Sequence, residues 1–173
     1  MSPAGRPVTV VVGPPGAGKS TIGRLLAARL AVSFRDVDDD IVALAGKPIM
    51  DIFATDGEPA FRALEEQAVA TALAEHAGVL ALGGGAILSE RTRATLAGHQ
   101  VVFLNVGMSE GVRRTGLSGA RPLLAGVNPR ATFKTLLDAR LPLYREIAVF
   151  EVGTDDLEPD QIVEKVLAAL DQS

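Results

Sequence analysis

The chain has 173 residues, 47% of them hydrophobic and 22% charged, with a formal net charge of −4 and neither cysteine nor tryptophan. That length and apolar content suit one domain with an aliphatic core and argue against wholesale disorder. The acidic balance argues against a protein that coats nucleic acid, the missing cysteines exclude disulfides and thiolate metal sites, and no apolar run approaches the ~20 residues that span a bilayer.

The first ten residues carry one arginine and no long apolar stretch, so a soluble, cytoplasmic protein without a signal peptide is expected. Val8–Val12, a β-branched run between Pro7 and Gly13, predicts a buried parallel strand. A helix follows Gly18, with Ile22, Leu25, Leu26 and Leu30 at suitable spacing. A weak strand at Val32–Arg35 ends in the acidic run Asp36-Val37-Asp38-Asp39-Asp40. Two short helices are expected near Asp40–Ala45 and Ile49–Ala54, then a turn at Asp56-Gly57 and a longer helix over Glu58–Glu75. Val79–Leu82 is a predicted strand that stops at Gly83-Gly84-Gly85. Ser89 suits a helix N-cap, with Thr92 three residues on.

Gln100–Val106 is another predicted buried strand, followed by the start of a helix at Ser109–Arg114 and a glycine-rich loop at Gly116–Gly126. Asn128 and Pro129 suit the N-cap and first position of a helix reaching about Arg145, which Pro142 should kink or end. Ala148–Val152 is a last strand, and Ile162, Val163, Val166, Leu167 and Leu170 form the apolar stripe of a final helix. The alternation of strands and helices predicts an α/β sandwich around a mainly parallel sheet. Ligands of such sheets bind beyond the carboxyl ends of the strands, where "GPPGAGKS", "DVD" and "GGG" all fall.

Gly13-x-x-x-x-Gly18-Lys19-Ser20 is a phosphate-binding loop in its proper context, with a strand before and a helix after. Its glycines let backbone N–H groups converge on an anion, and the helix N-terminus adds partial positive charge. Lys19 is expected to reach the β- and γ-phosphates of a nucleoside triphosphate, and the Ser20 hydroxyl to ligate Mg2+. Asp36 and Asp38 stand two residues apart at a strand end, where extended geometry would put them on one face. One could serve the metal and the other a phosphoryl acceptor; a merely solvated acidic turn is the alternative.

The runs "GPPGAGKST", "DVDDDI", "IFATDGEPAFRALE", "LALGGGAI", "ARPLL" and "ARLPLYREIA" resemble the shikimate kinases, over Val8–Val152 and less distinctly to the end. "DGEPAFRALE" followed by the triple glycine is the specific part. The resemblance implies a P-loop kinase domain spanning 1–173: a three-layer α/β/α sandwich like the nucleoside monophosphate kinases, with a substrate-binding segment about 36–66 and a lid about 115–127. It implies transfer of the ATP γ-phosphate to the 3-hydroxyl of shikimate, with Mg2+, in the route to chorismate and the aromatic amino acids.

Carried over by resemblance, Gly16, Ala17, Gly18, Lys19, Ser20 and Thr21 hold the nucleotide phosphates, Arg121 joins them from the lid, and Arg114 lies near the adenine. Asp38 binds the shikimate hydroxyls and acts as catalytic base, and Asp36 helps Ser20 hold Mg2+. Arg62 and Arg140 bind the substrate carboxylate, and Gly83, Gly84 and Gly85 let the backbone approach the ring. Guanidinium forks suit a carboxylate better than a lysine does. A carboxylate with the ordinary pKa of about 3.9 is a weak base for an alcohol, so Asp38 is expected chiefly to orient the hydroxyl and accept its proton late. Simpler readings stand beside these: Arg62 in an ion pair with Glu65 or Glu66, Arg140 capping carbonyls, the glycines as a plain turn, and the lid as an ordinary surface loop.

Two departures from the family pattern stand out. Val42 occupies a position where a glutamate is frequent, and the adenine-side loop "GTDDLEP" is acidic, so an arginine contact from it is not expected. Rival readings are a nucleoside monophosphate kinase, whose second phosphate "DVDDD" would repel, a gluconate-type kinase, and a nucleotide switch, for which the N-K-x-D guanine motif is missing. Shikimate and ATP are the expected partners, with no nucleic acid or membrane, and a monomer is expected.

Overall fold

The computed structural model describes residues 6–14, 17–106 and 129–171. Five strands form one parallel sheet in the order β2-β3-β1-β4-β5: β1 Thr9–Val12, β2 Phe34–Asp36, β3 Val79–Ala81, β4 Val101–Asn105 and β5 Phe150–Gly153. The described helices are α1 Lys19–Leu30, α2 Val37–Ala45, α3 Ile49–Thr55, α4 Glu58–Glu75, α5 Glu90–Leu96, α6 Pro129–Ile147 and α7 Pro159–Asp171.

The pleat of the sheet divides its side chains between two cores. Val10, Val12, Leu80, Val101 and Phe103 pack on one face against Ile41 of α2, Ile52 of α3, Phe61 and Val69 of α4, Leu96 of α5 and Tyr144 of α6. Val11, Val79, Val102 and Leu104 face the other way, against Ile22 and Leu26 of α1 and Ile162, Val163 and Val166 of α7. A strand covered on both faces cannot alternate apolar with polar, which is why β1 and β4 read as continuous apolar runs. Each large aliphatic or aromatic side chain buried here contributes about 1.5–3 kcal/mol. The layers are those of an α/β/α sandwich, as the sequence predicts.

Register fixes where the loops emerge. Asp36 lies opposite Ala81, and Ala81 opposite Val11. The acidic run after β2, the glycines after β3 and the phosphate loop after β1 therefore leave one edge of the sheet side by side.

Several boundaries differ from expectation. The second strand is Phe34–Asp36 rather than Val32–Arg35, and α2 begins at Val37 rather than near Asp40. Asp38 is thus in the first turn of a helix, and it shares no strand face with Asp36. The cause is local: the Asp36 carboxylate accepts the Asp38 backbone N–H at 2.9 Å and caps the helix. Helix α6 continues through Pro142 to Ile147. Proline removes an N–H that would serve the carbonyl of Asp138, but Asp138 is exposed and water can take that role. A 3-10 turn at Ala86–Leu88, not foreseen, joins the glycines to Ser89, which caps α5 as expected by accepting from the Thr92 N–H at 3.1 Å. The expected helix at Ser109–Arg114, the loop at Gly116–Gly126, the lid about 115–127 and the Asn128 cap lie outside the described residues.

Candidate functional site

The N-terminus of α1 opens straight from the phosphate loop. Gly18 occupies its N-cap with φ +85°, a left-handed conformation that suits glycine, and offers no side chain to cap the first turn. The first N–H groups of a helix have no partner within it, so those of α1 present donors and the positive end of the dipole toward the loop. Lys19 lies folded over that loop, its ammonium donating to the carbonyls of Gly13 at 2.8 Å and Pro14 at 3.1 Å. Gly13 is glycine for want of room, since an added Cβ would stand 3.3 Å from the Ala17 Cβ and closer still to the Leu104 carbonyl oxygen. A cavity of about 230 Å³ beside the loop is bounded by Gly18, Thr21, Leu157, Pro159 and Ile162, so α1 and α7 give it a largely apolar wall. Gly16 lies outside the described residues, as do Arg114 and Arg121.

The acidic run divides its four carboxylates among distinct tasks. Asp40 pairs with Arg35 at 2.9 Å, and Arg35 also meets Glu75 at 3.3 Å. Burial tends to lower the Arg35 pKa, but the bonds and charges of Asp40 and Glu75 together raise it above its ordinary value. Asp39 is exposed, whereas Asp36 and Asp38 are half-buried. Asp36 accepts from the Ser20 hydroxyl at 2.8 Å with one oxygen and caps α2 with the other. Strands β1 and β2 are separated by β3, yet Ser20, in the first turn of α1, reaches the end of β2. Ser20 and Asp36 form a pair of hard oxygen donors fit for Mg2+, which commonly takes one or two protein ligands and completes its shell with phosphate and water. Among the described residues no group of three or more His, Cys, Asp or Glu side chains could hold a metal on its own.

The third cluster is cationic. Arg62, on α4, binds Glu65 at 2.7 Å and Glu58 at 3.2 Å, and it is turned inward: its side chain is 20% exposed and that of Glu65 only 4%. The ion pair with Glu65 anticipated from spacing is therefore present, but it is not a surface pair. Glu66 takes a different partner, the Ser89 hydroxyl at 2.8 Å. The Arg62 guanidinium fills the space beside Gly85, where a Cβ would lie 2.7 Å from its Cζ.

Arg140 sits inside α6 rather than at a helix end, so it caps nothing. It is 3% exposed, and its NH1 nitrogen has no hydrogen-bond partner among the described residues. Burial pushes its pKa below the ordinary value; the Tyr144 oxygen beside it acts the other way, and the nearby Arg62 charge pushes it down again. A buried guanidinium with an idle donor next to a second guanidinium is costly unless an anion meets it. Tyr144, which sequence reading passed over, donates to the Gly84 carbonyl and so fixes α6 against the glycine turn.

The structure thus joins Ser20, Asp36 and the Asp38 backbone in one cluster, and Arg62, Gly84, Gly85, Arg140 and Tyr144 in another. Both lie at the carboxyl edge of the sheet, beside the phosphate loop. Glu58, Glu65 and Tyr144 are the members that sequence reading did not assign to the site; Glu65 was legible only as an i+3 neighbour of Arg62, and Tyr144 only as the residue one helical turn beyond Arg140.

Comparison with known proteins identifies the family of the chain. The family model for shikimate kinase matches residues 15–171. A shikimate kinase of Saccharopolyspora erythraea is 71% identical over 161 residues, covering 93% of this chain and 92% of its own. The structure of a shikimate kinase from Acinetobacter baumannii in complex with shikimate superposes with a TM-score of 0.91 at 36% identity, over 95% of this chain and 92% of that one. A gluconokinase from Sinorhizobium meliloti, 19% identical with a TM-score of 0.57 over 98% of this chain and 94% of its own, shares the fold alone. On the extent of the family match and the identity of its relatives, the chain belongs to the shikimate kinase family.

Proposed function

We propose that the chain transfers the γ-phosphoryl group of ATP to the 3-hydroxyl of shikimate, giving shikimate 3-phosphate and ADP, and that the two clusters divide the work. The observation that carries the assignment of roles is Arg140, buried with an idle NH1 beside Arg62 at the end of the glycine strand. Arg62 and Arg140 grip the shikimate carboxylate, each charge-assisted bond contributing about 1.5–3 kcal/mol. Glu65 and Glu58 hold Arg62 in place, and Gly83, Gly84 and Gly85 let the ring approach. Asp38 orients the acceptor hydroxyl and takes its proton late in a largely dissociative transfer.

Gly16, Ala17, Gly18, Lys19, Ser20 and Thr21 cradle the nucleotide phosphates, and the apolar cavity against Leu157, Pro159 and Ile162 receives the adenine. Ser20 and Asp36 would hold Mg2+, which when bound neutralises charge on the β- and γ-phosphates. Arg121 from the lid and Arg114 on the adenine side complete the nucleotide site in this reading. A lid over 115–127 would keep water from the transferring group. The same reading has one domain over 1–173, with substrate contacts in 36–66, acting as a cytoplasmic monomer. None of the described helices is long and apolar enough to cross a membrane.

The test is ADP release by the purified protein with Mg-ATP and shikimate, gluconate or AMP in turn. Shikimate alone should stimulate release, and Asp38→Asn should lose most of that stimulated turnover while still binding ATP. Stimulation by AMP or gluconate in place of shikimate, or near-normal turnover of Asp38→Asn, contradicts the assignment.

A further inference from the structure

Two contacts join α1 to β2. In the first, Ser20 donates to the Asp36 carboxylate at 2.8 Å. In the second, Gly23 meets the edge of the Phe34 ring so closely that an added Cβ would stand 2.4 Å from Cε1, 3.0 Å from Cδ1 and 3.3 Å from Cζ. Ser20 and Gly23 are three residues apart on a helix, hence on one face and about 4.5 Å apart along its axis. Phe34 and Asp36 are two residues apart in a strand, hence also on one face and about 6.6 Å apart. The contacts therefore form one seam, with the first turn of α1 on the end of β2 and the next turn on its beginning. Glycine weakens a helix interior, so a buried glycine with ordinary helical backbone at 23 needs a reason in packing. The Phe34 ring supplies it. The Arg24 guanidinium lies over the same half-buried ring, 5.1 Å from its centroid. Strand β2 is itself held by β3, with Phe34 opposite Val79 and the Ser33 carbonyl accepting the Val79 N–H at 2.9 Å. A methyl group at 23 thus has two outlets: turning the ring out from under Arg24, or lifting α1 off β2.

We propose that Gly23 and Phe34 are positioning residues for the Ser20–Asp36 pair: the bare helix face at 23 seats the Phe34 ring, and that contact sets the separation of α1 from β2 at which Ser20 meets Asp36. This rests on the reading of Ser20 and Asp36 as the Mg2+ pair. Mg2+ demands near-ideal octahedral geometry, so two oxygens that serve one such ion tolerate little displacement. Lifting α1 would move the Ser20 hydroxyl away from a carboxylate that its bond to the Asp38 N–H keeps in place.

The decisive experiment joins a crystal structure of metal-free Gly23→Ala to Mn2+ binding by the ADP complex, followed through the electron paramagnetic resonance signal of free Mn2+. Mn2+ suits the same oxygen ligands as Mg2+. Gly23→Ala should lengthen the Ser20 Oγ to Asp36 distance beyond hydrogen-bond reach, about 3.5 Å. It should weaken Mn2+ binding about tenfold or more. Shikimate binding, measured by calorimetry without nucleotide, should stay within about twofold of wild type, since its contacts lie apart from the seam. An unchanged distance with the ring turned out, or wild-type Mn2+ affinity, overturns the proposal. So does an equal loss of shikimate affinity, the mark of a general packing defect. Phe34→Val removes all three ring atoms and keeps a residue suited to a strand. In that background Gly23→Ala should cost less than about twofold in Mn2+ affinity, because the methyl enters vacated space. A loss that persists there sinks the idea, and this arm holds even where Gly23→Ala alone does not fold. Ser20→Ala separates the two readings: if it leaves Mn2+ binding unchanged, the metal assignment of the pair fails; if it weakens binding and Gly23→Ala does not, only the positioning role fails.

Discussion

Gly85 has φ −102° and ψ 5°, a negative-φ turn conformation open to residues with a Cβ, so its missing side chain serves space rather than conformation. That space holds the Arg62 guanidinium. Gly85→Ala should therefore displace the end of a flexible side chain, at little expense to stability, while moving Arg62 off its place in the cradle. The expected outcome is a KM for shikimate raised about tenfold or more with a melting temperature within a few degrees of wild type; steady-state kinetics and a thermal melt check it together. A large fall in melting temperature with unchanged KM would show that Gly85 is needed for packing instead. At this scale the sequence was partly legible. Three glycines at a strand end signal close approach, and the spacing of Arg62 and Glu65 signals a pair, but that the guanidinium itself occupies the gap depends on how α4 packs beside β3. Tyr144 was illegible for a related reason, because its partners lie in two segments remote from α6.

The junction of β2 and α2 shows how one side chain serves an element and a site at once. Asp36 caps α2 through the Asp38 N–H and accepts from Ser20 with its other oxygen. Asparagine is as good an N-cap as aspartate but carries no charge. Asp36→Asn should thus leave stability near wild type while turnover with Mg-ATP falls by about a hundredfold, whereas Asp36→Ala should lose the same activity and a further ~1 kcal/mol of stability. Denaturant midpoints and turnover measured on both variants check this, and normal turnover of Asp36→Asn would reduce the residue to a cap. The sequence marked "DVD" as the site but read it as extended chain at a strand end. The predicted strand stops at Arg35, one residue short, and period-2 reasoning extended its geometry through Asp38, since only the capping bond reveals where the helix begins.

Across the whole molecule, the alternation of apolar strands and amphipathic helices was enough to predict the layers, because burial on both faces of a parallel sheet imprints continuous apolar runs at β1 and β4. Strand order was not legible, since nothing local states that β3 lies between β1 and β2, and that order is what lines the glycine turn up between the phosphate loop and Asp36. The net charge of −4 likewise conceals a pair of neighbouring arginines at the cradle. At the opposite edge, His99 ties acid stability to the fold as a whole. Burial first, and the charge of Arg6 second, push its pKa below the ordinary 6.5. Its buried Nδ1 has no hydrogen-bond partner among the described residues. The unfolded chain then binds the His99 proton more readily than the folded one, so this group lowers stability as pH falls from about 6.5 toward its folded value and has no effect above that window. His99→Gln should lose less stability than wild type between about pH 7 and pH 5 in urea titrations. Parallel profiles for the two proteins would show that His99 does not titrate differently on folding.

The most direct test of the whole account is a crystal structure of this chain with shikimate, Mg2+ and ADP bound together. The account predicts the shikimate carboxylate within hydrogen-bonding distance of both Arg62 and Arg140, the 3-hydroxyl at Asp38, and the metal against Ser20 and Asp36. A carboxylate seated away from both arginines, with the ring turned so that its 3-hydroxyl faces away from the nucleotide, would contradict it.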